Sequence, residues 1–141
     1  MISESGLPGT VLVLQRATHH TLHLLGHALA GLRLSAAEIN VLANLGDGGT
    51  LNVRQLSEQT GSRASTLTGI LDRLESRGYL TRELDPGDRR SFRLPLTEAG
   101  HAAAGRVLAV IADLERTALA GLSADQIAGY HAVISALEEA S

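Results

Sequence analysis

The sequence predicts a mainly α-helical chain in which a helix-turn-helix runs into a two-stranded β-hairpin, with helices on either side. Three observations predict it. Apolar residues recur at spacings of three and four through most of the chain, the period of helices with one buried face. Two of these segments meet at Thr60-Gly61-Ser62, a tight turn carrying a glycine. After the second, Asp85-Pro86-Gly87-Asp88 puts Pro and Gly in turn positions between two short extended runs. A hairpin directly after a helix-turn-helix is a wing, so the class is a winged helix-turn-helix.

The elements follow in order. Val11 to Leu32 reads as one long helix, with Val11, Leu14, Thr18, Leu22, Leu25, Leu29 and Leu32 as a narrow stripe. Ser35-Ala-Ala-Glu38 is a capping box opening a second helix, which ends in the run Gly46-Asp47-Gly48-Gly49. Asn52-Val-Arg-Gln55 opens a third helix in the same way, and that helix ends at Gly61. Ser62 is expected to cap the fourth, which buries Leu67, Ile70, Leu71 and Leu74 and stops near Gly78. The hairpin strands are expected over Tyr79–Leu84 and Ser91–Leu96. In the second, Phe92, Leu94 and Leu96 share a side opposite Arg93 and Pro95, with Pro95 on an edge. Thr97-Glu98 starts a fifth helix striped by Ala104, Leu108, Ile111, Leu114 and Ala118. After Gly121, Ser123 caps a last helix carrying Ile127, Tyr130, Ile134 and Leu137. This divides the chain into a winged helix-turn-helix domain over 34–97, the part expected to bind DNA if its charge and motifs bear on function, and a helical dimerisation region over 1–33 and 98–141.

Composition narrows the function. Hydrophobic residues are 44% and charged residues 19% of 141, ordinary for a globular chain. No apolar run is long enough to span a membrane, and the first eight residues hold Glu4 and no basic residue, unlike a secretory leader. The expected location is the cytoplasm. Cysteine is absent, which excludes disulfides, thiolate metal sites and thiol redox sensing. There is no Gly-rich phosphate loop and no motif gathering Ser, His and an acid, so an enzyme is not expected and no cofactor is called for. The net charge is −3, but it is unevenly spread, and every basic residue is Arg. Residues 54–93 hold eight Arg against six acids, a net of +2, while the remainder holds four against nine, a net of −5. A basic centre between acidic flanks suits a polyanionic partner at the centre.

The stretch Asp88-Arg89-Arg90-Ser-Phe-Arg-Leu-Pro-Leu96-Thr97 carries a further signal. It resembles the wing pattern of the MarR family of bacterial transcription regulators, D-x-R followed by five residues and L-T. Leu71-Asp72-Arg73-Leu74-Glu75 with Gly78-Tyr79-Leu80 resembles the end of that family's recognition helix, and Leu34-Ser35 through Leu45 its second helix. The resemblance implies a homodimer on a pseudo-palindromic operator in double-stranded DNA, with recognition helices in successive major grooves and wings in the minor groove. It further implies a repressor released by a small-molecule effector.

On that basis the DNA-binding residues are Ser62, Arg63, Ser65, Thr66, Thr68, Arg73, Arg89 and Arg90. Ser62 and Arg63 sit at the helix N-terminus, where N–H groups meet phosphate, and the hydroxyls are short enough not to crowd the groove. By analogy Arg73 and Arg89 hold phosphate and Arg90 enters the minor groove, while Asp88 braces the wing by pairing at the base of that arginine. Plain structural roles compete: Ser62 as a cap alone, Arg63 as a solvated helix start, Arg73 paired with Asp72 or Glu75. The chain departs from the family at Gly69, where many members carry a basic residue, and near Asn40, where a frequent aromatic is missing.

Four of six histidines fall on the first helix, at 19, 20, 23 and 27. His20, His23 and His27 group with Arg16 opposite the leucine stripe. A solvated or interface face, an effector or pH sensor, and a metal site all compete there. His19 with His23, completed by His101 or His131, is the metal version; without cysteine no metal ligand set is assigned. The alternatives to the MarR-like reading are a metal- or pH-responsive winged helix using this first helix, or a winged-helix protein-interaction module.

Overall fold

The computed structural model describes residues 9–140. The leader reading at residues 1–8 and the outermost ends of the expected dimerisation region lie outside the described residues. The order is α1 (Thr10–Ala28), a 3-10 turn (Ala30–Leu32), α2 (Ala36–Gly46), α3 (Val53–Thr60), α4 (Ala64–Ser76), β1 (Glu83–Asp85), β2 (Asp88–Arg93), α5 (Glu98–Ala118) and α6 (Ala124–Glu138). The class is the one expected, mainly helical with a two-stranded antiparallel wing.

The chain forms two compact units, one running to Ile111 and the other from Ala112. The first holds two cores. The larger joins Val41, Leu42 and Leu45 of α2, Leu56 of α3 and Leu67, Ile70, Leu71 and Leu74 of α4, closed by Leu80 and Leu94. The four predicted α4 residues are therefore its buried face. The smaller core joins Leu29, Leu32, Ile39 and Val107. Here the first helix differs from expectation. It ends at Ala28, and Leu29 and Leu32 reach the core from a tighter turn closed by Arg33 in the left-handed region at φ 54°.

Both predicted capping boxes form. Ser35 Oγ accepts from Glu38 N–H at 3.2 Å while Glu38 Oε1 accepts from Ser35 N–H at 3.0 Å. Asn52 and Gln55 exchange the same pair of bonds at 2.8 and 2.9 Å. Gly61 closes α3 at φ 69°, a conformation open to glycine and strained for side chains with a Cβ.

The wing departs from expectation at both strands. Tyr79–Arg82 is not in the hairpin ladder: Leu80 makes one isolated bridge to Leu96, and β1 begins at Glu83. The second strand starts three residues early, at Asp88, and ends at Arg93. The alternation over Phe92, Leu94 and Leu96 breaks as the chain leaves the ladder, so Phe92 is 45% exposed and Leu94 1%. Pro95 lies past the strand, its carbonyl accepting from Thr81 N–H. A third segment joins the wing: Asn52 bridges Arg93, and Leu94 N–H donates to the Leu51 carbonyl. The start of α3 and the end of the hairpin are thereby tied together.

In the second unit, Ser123 caps α6 as expected, in a box with Gln126. Ile127, Ile134 and Leu137 are half-buried and Tyr130 is exposed.

Candidate nucleic-acid interface

Burial of Leu67, Ile70, Leu71 and Leu74 turns the other side of α4 outward, and Ser65, Thr66 and Thr68 stand there exposed. Thr68 Oγ1 donates to the Ala64 carbonyl, which fixes the hydroxyl and leaves its lone pairs outward. The N-cap of α4 is Arg63, with extended φ −67° and ψ 150°, and no side chain caps the helix. Its first N–H groups thus stay available to an acceptor from outside the chain, beside a guanidinium.

The wing is built around two aspartates. Asp85 accepts from Asn52 Nδ2 at 2.7 Å and from the Gly87 N–H at 3.0 Å, and these bonds, Asn52 first, hold its carboxyl below the ordinary aspartate range. Asp88 Oδ1 accepts from the Arg90 N–H at 3.1 Å, and its Oδ2 lies 3.6 Å from Arg54 Nε. The register jumps at this point. Leu84 opposes Phe92 while Asp85 opposes Asp88, so Arg89, Arg90 and Ser91 have no residue opposite them. Such a bulge bends the strand and re-aims its side chains. Among the described residues, the guanidinium groups of Arg63, Arg89 and Arg90 have no ion-pair or side-chain hydrogen-bond partner. Arg90 of the wing lines one groove with Ala64 and Thr68 of α4, and Arg63 stands at the N-cap of the same helix.

The MarR family model matches residues 34–92, from the start of α2 to near the end of β2. The HTH-type transcriptional regulator PecS of Dickeya dadantii is 34% identical over 110 residues, 76% of this chain and 66% of PecS. The chain belongs to the MarR family. Among solved structures, NadR in complex with 4-hydroxyphenylacetate aligns over 100% of both chains at TM-score 0.84 and 20% identity. A mutant MarR from E. coli complexed with operator DNA aligns over 89% of this chain and 90% of that one, at TM-score 0.72 and 25% identity. This MarR-family chain spans 42% to 66% of the lengths of the curated relatives it matches.

Residue by residue, the placement of the predicted site is uneven. Ser62 does not cap α4; its carbonyl accepts from Ser57 Oγ at 2.7 Å and its N–H donates to Thr60 Oγ1, so it braces the turn one residue early. Arg73 pairs with neither Asp72 nor Glu75. Its Nε lies 3.9 Å from Glu38 Oε1, and Asp72 is taken by Arg82 at 2.6 Å. Asp88 meets Arg90 through the backbone N–H, and its charge partner is Arg54. On α1, one groove of about 550 Å³ gathers His19, His23 and His27 with Leu22, Gly26 and the start of α2; neither His20 nor Arg16 lines it. Spacings of four and eight put those three on one line, where the helical-wheel grouping favoured His20. Among the described residues, no three His, Asp or Glu side chains gather as a metal site.

Three residues were not anticipated. Arg54 sits in the first turn of α3 and Asn52 caps it; the sequence pattern offers both only as parts of a capping box, while their partners lie on the wing. Arg77, the C-cap of α4, donates to the Leu32 and Arg33 carbonyls at 2.7 and 2.8 Å and lies over the Tyr79 ring. The carbonyls it satisfies lie 44 and 45 residues away, not on α4, so no pattern local to the helix end marks the contact.

Proposed function

We propose that this chain is a transcriptional regulator that binds operator DNA as a two-fold homodimer and represses until a small molecule releases it. The observation that carries the reading is the joint presentation of α4 and the wing. The uncapped N-terminus of α4, Arg63, and the hydroxyls of Ser65, Thr66 and Thr68 suit a major groove, and Arg89 and Arg90 sit on a bulged wing whose Arg90 lines one groove with Thr68. Arg73 remains 57% exposed at its side chain and serves as a phosphate contact at the far end of α4. Asp88 sets the wing by holding the Arg90 backbone. The likeness to an E. coli MarR seen with operator DNA supports the same use of the fold here.

Dimerisation is supported by what the helices leave uncovered. Neither α1 nor α6 has a buried residue in the single chain, and Val11, Leu12, Val13 and Leu24 of α1 and Tyr130 and Val133 of α6 stand exposed. Apolar helix faces of this kind call for a partner. These helices belong to the dimerisation region proposed over 1–33 and 98–141. For the effector, the His19, His23 and His27 groove is the candidate, a concave polar and apolar lining on the helix leading into the winged domain. The neighbour NadR is solved with an aromatic acid, the ligand class to try first.

The test is fluorescence anisotropy against the protein's own promoter and a scrambled duplex across a salt series, with sedimentation to count protomers. Selective, salt-dependent binding by a dimer supports the reading. Binding that is absent, or indifferent to salt and sequence, overturns it.

A further inference from the structure

A groove of about 890 Å³ runs between the first turn of α3, the outer side of α4 and the wing. Arg54, Arg82 and Arg90 supply its cations, and Asp88 and Glu58 its acids. Two features set it apart from a solvated crease. Ser91 is 7% exposed, lines the groove, and its Oγ has no hydrogen-bond partner among the described residues. A buried hydroxyl without a partner is costly and calls for a ligand group or water. Arg54, in turn, is held loosely. Its Nε is 3.6 Å from Asp88, beyond a good hydrogen bond, and its side chain is 64% exposed, so its forked donors remain for another acceptor.

We propose that this groove seats one phosphodiester of the DNA strand, with Arg54 as its charge partner and Ser91 as a hydroxyl donor. The inference rests on the DNA-binding reading above. If α4 enters a major groove and the wing the adjoining minor groove, the sugar–phosphate strand between those grooves must cross between helix and wing. The groove lies on that crossing. The Asp88 carboxylate keeps Arg54 turned toward the wing, and an arriving phosphate takes over the unpaired donors, a charge-assisted contact that arginine makes with two bonds. Arg54 would then fix the phase of the strand relative to α4 without reading sequence.

The experiment is a salt series on operator and scrambled duplexes with Arg54→Gln, Arg54→Lys and Ser91→Ala, each checked for native helix content. Each phosphate contact contributes roughly 0.9 to the slope of log K against log salt. Arg54→Gln is expected to lower the slope by about that amount on both duplexes, so its deficit shrinks ~3- to 4-fold between 50 and 200 mM salt. Arg54→Lys is expected to restore the slope, and Ser91→Ala to weaken both duplexes about equally. An unchanged slope in a folded Arg54→Gln protein that still prefers its operator overturns the groove and leaves the regulator reading standing. A slope lost in Arg54→Lys as well also overturns it, because charge was then not the contact. A wild-type protein that binds no duplex overturns both.

Discussion

Asn52 donates its carboxamide to Asp85 at 2.7 Å across 33 residues of chain, while its oxygen caps α3 by accepting from Gln55 N–H. One buried side chain thus sets both the start of the helix-turn-helix and the root of the wing. With the backbone bond from Leu94 to Leu51, it fixes the hairpin against α3. The spacing between Arg63 and Arg90 depends on that joint.

Replacing Asn52 by Ala therefore removes a cap and a tether together. The lost cap alone costs about 1–2 kcal/mol, read from urea unfolding. Asn52→Asp keeps the cap acceptor but sets a second carboxylate against Asp85. It is expected to destabilise at neutral pH, with the deficit narrowing in acid as one of the two carboxyls protonates. An Asn52→Asp protein as stable as wild type at pH 7 would remove the tether from the account.

Asp85 gives the joint its own pH dependence. Hydrogen bonds from Asn52 and the Gly87 N–H depress its pKa in the folded state. A depressed carboxylate stabilises the fold above its unfolded value, about 3.9, and loses that contribution as pH falls through the lower folded value. The wing is thus unaffected across the physiological range and loosens only in strong acid. Asp85→Asn should flatten that acid limb, which chemical-shift titration of the Gly87 amide would follow.

Arg77 is the second long-range tie. Its guanidinium satisfies the Leu32 and Arg33 carbonyls at the end of the 3-10 turn, joining the base of α4 to the end of the α1 segment. Hydrogen bonds from a charged donor are worth more than neutral ones, but this one is partly solvated. Arg77→Ala is expected to cost about 1–2 kcal/mol. Arg77→Lys cannot span both carbonyls with a planar fork and should recover less than half of it. Equal stability of all three proteins in thermal unfolding would contradict this.

Gly100 marks a close approach that no side chain tolerates. A Cβ built there would collide with the Tyr79 carbonyl oxygen, a backbone atom that already accepts from Thr97 N–H. Since the obstacle is backbone, relief requires α5 to shift. Gly100→Ala is expected to cost about 3 kcal/mol, at the upper end of overpacking, and to lower the unfolding midpoint accordingly.

These cases explain what could be read from the sequence. Ser35, Asn52 and the Leu67, Ile70, Leu71 and Leu74 face were legible because capping and amphipathicity are periodic within one turn or two. Ser62 misled because Gly61 and an extended Arg63 delay the helix by one residue. The strand limits failed because Leu80 and Leu94 behave as core plugs at the foot of the hairpin, not as ladder residues. Asn52 to Asp85 and Arg77 to Arg33, 33 and 44 residues apart, leave no local pattern. The histidine groove depends on which side of α1 meets the start of α2, which spacing on one helix does not decide.

Gly69 is where the departure from the family can be tested as a gain. It lies on α4 between Thr68 and the buried Ile70, and a Cβ there would meet only Arg73 Nη1, at 3.5 Å, an ordinary contact with the end of a flexible side chain. Glycine inside a helix costs about 1 kcal/mol against alanine, so Gly69→Ala should stabilise the protein by about that much. Gly69→Arg should keep most of that gain and add a cation beside Thr68 and Arg73. Repulsion would push Arg73 from Glu38, a contact already at 3.9 Å, and both cations would then face outward. If α4 lies in a major groove, the salt slope should steepen by roughly 0.9 for each new phosphate contact, with tighter binding to operator and scrambled duplex alike. If Gly69→Arg is more stable yet binds no duplex more tightly, this side of α4 does not face DNA.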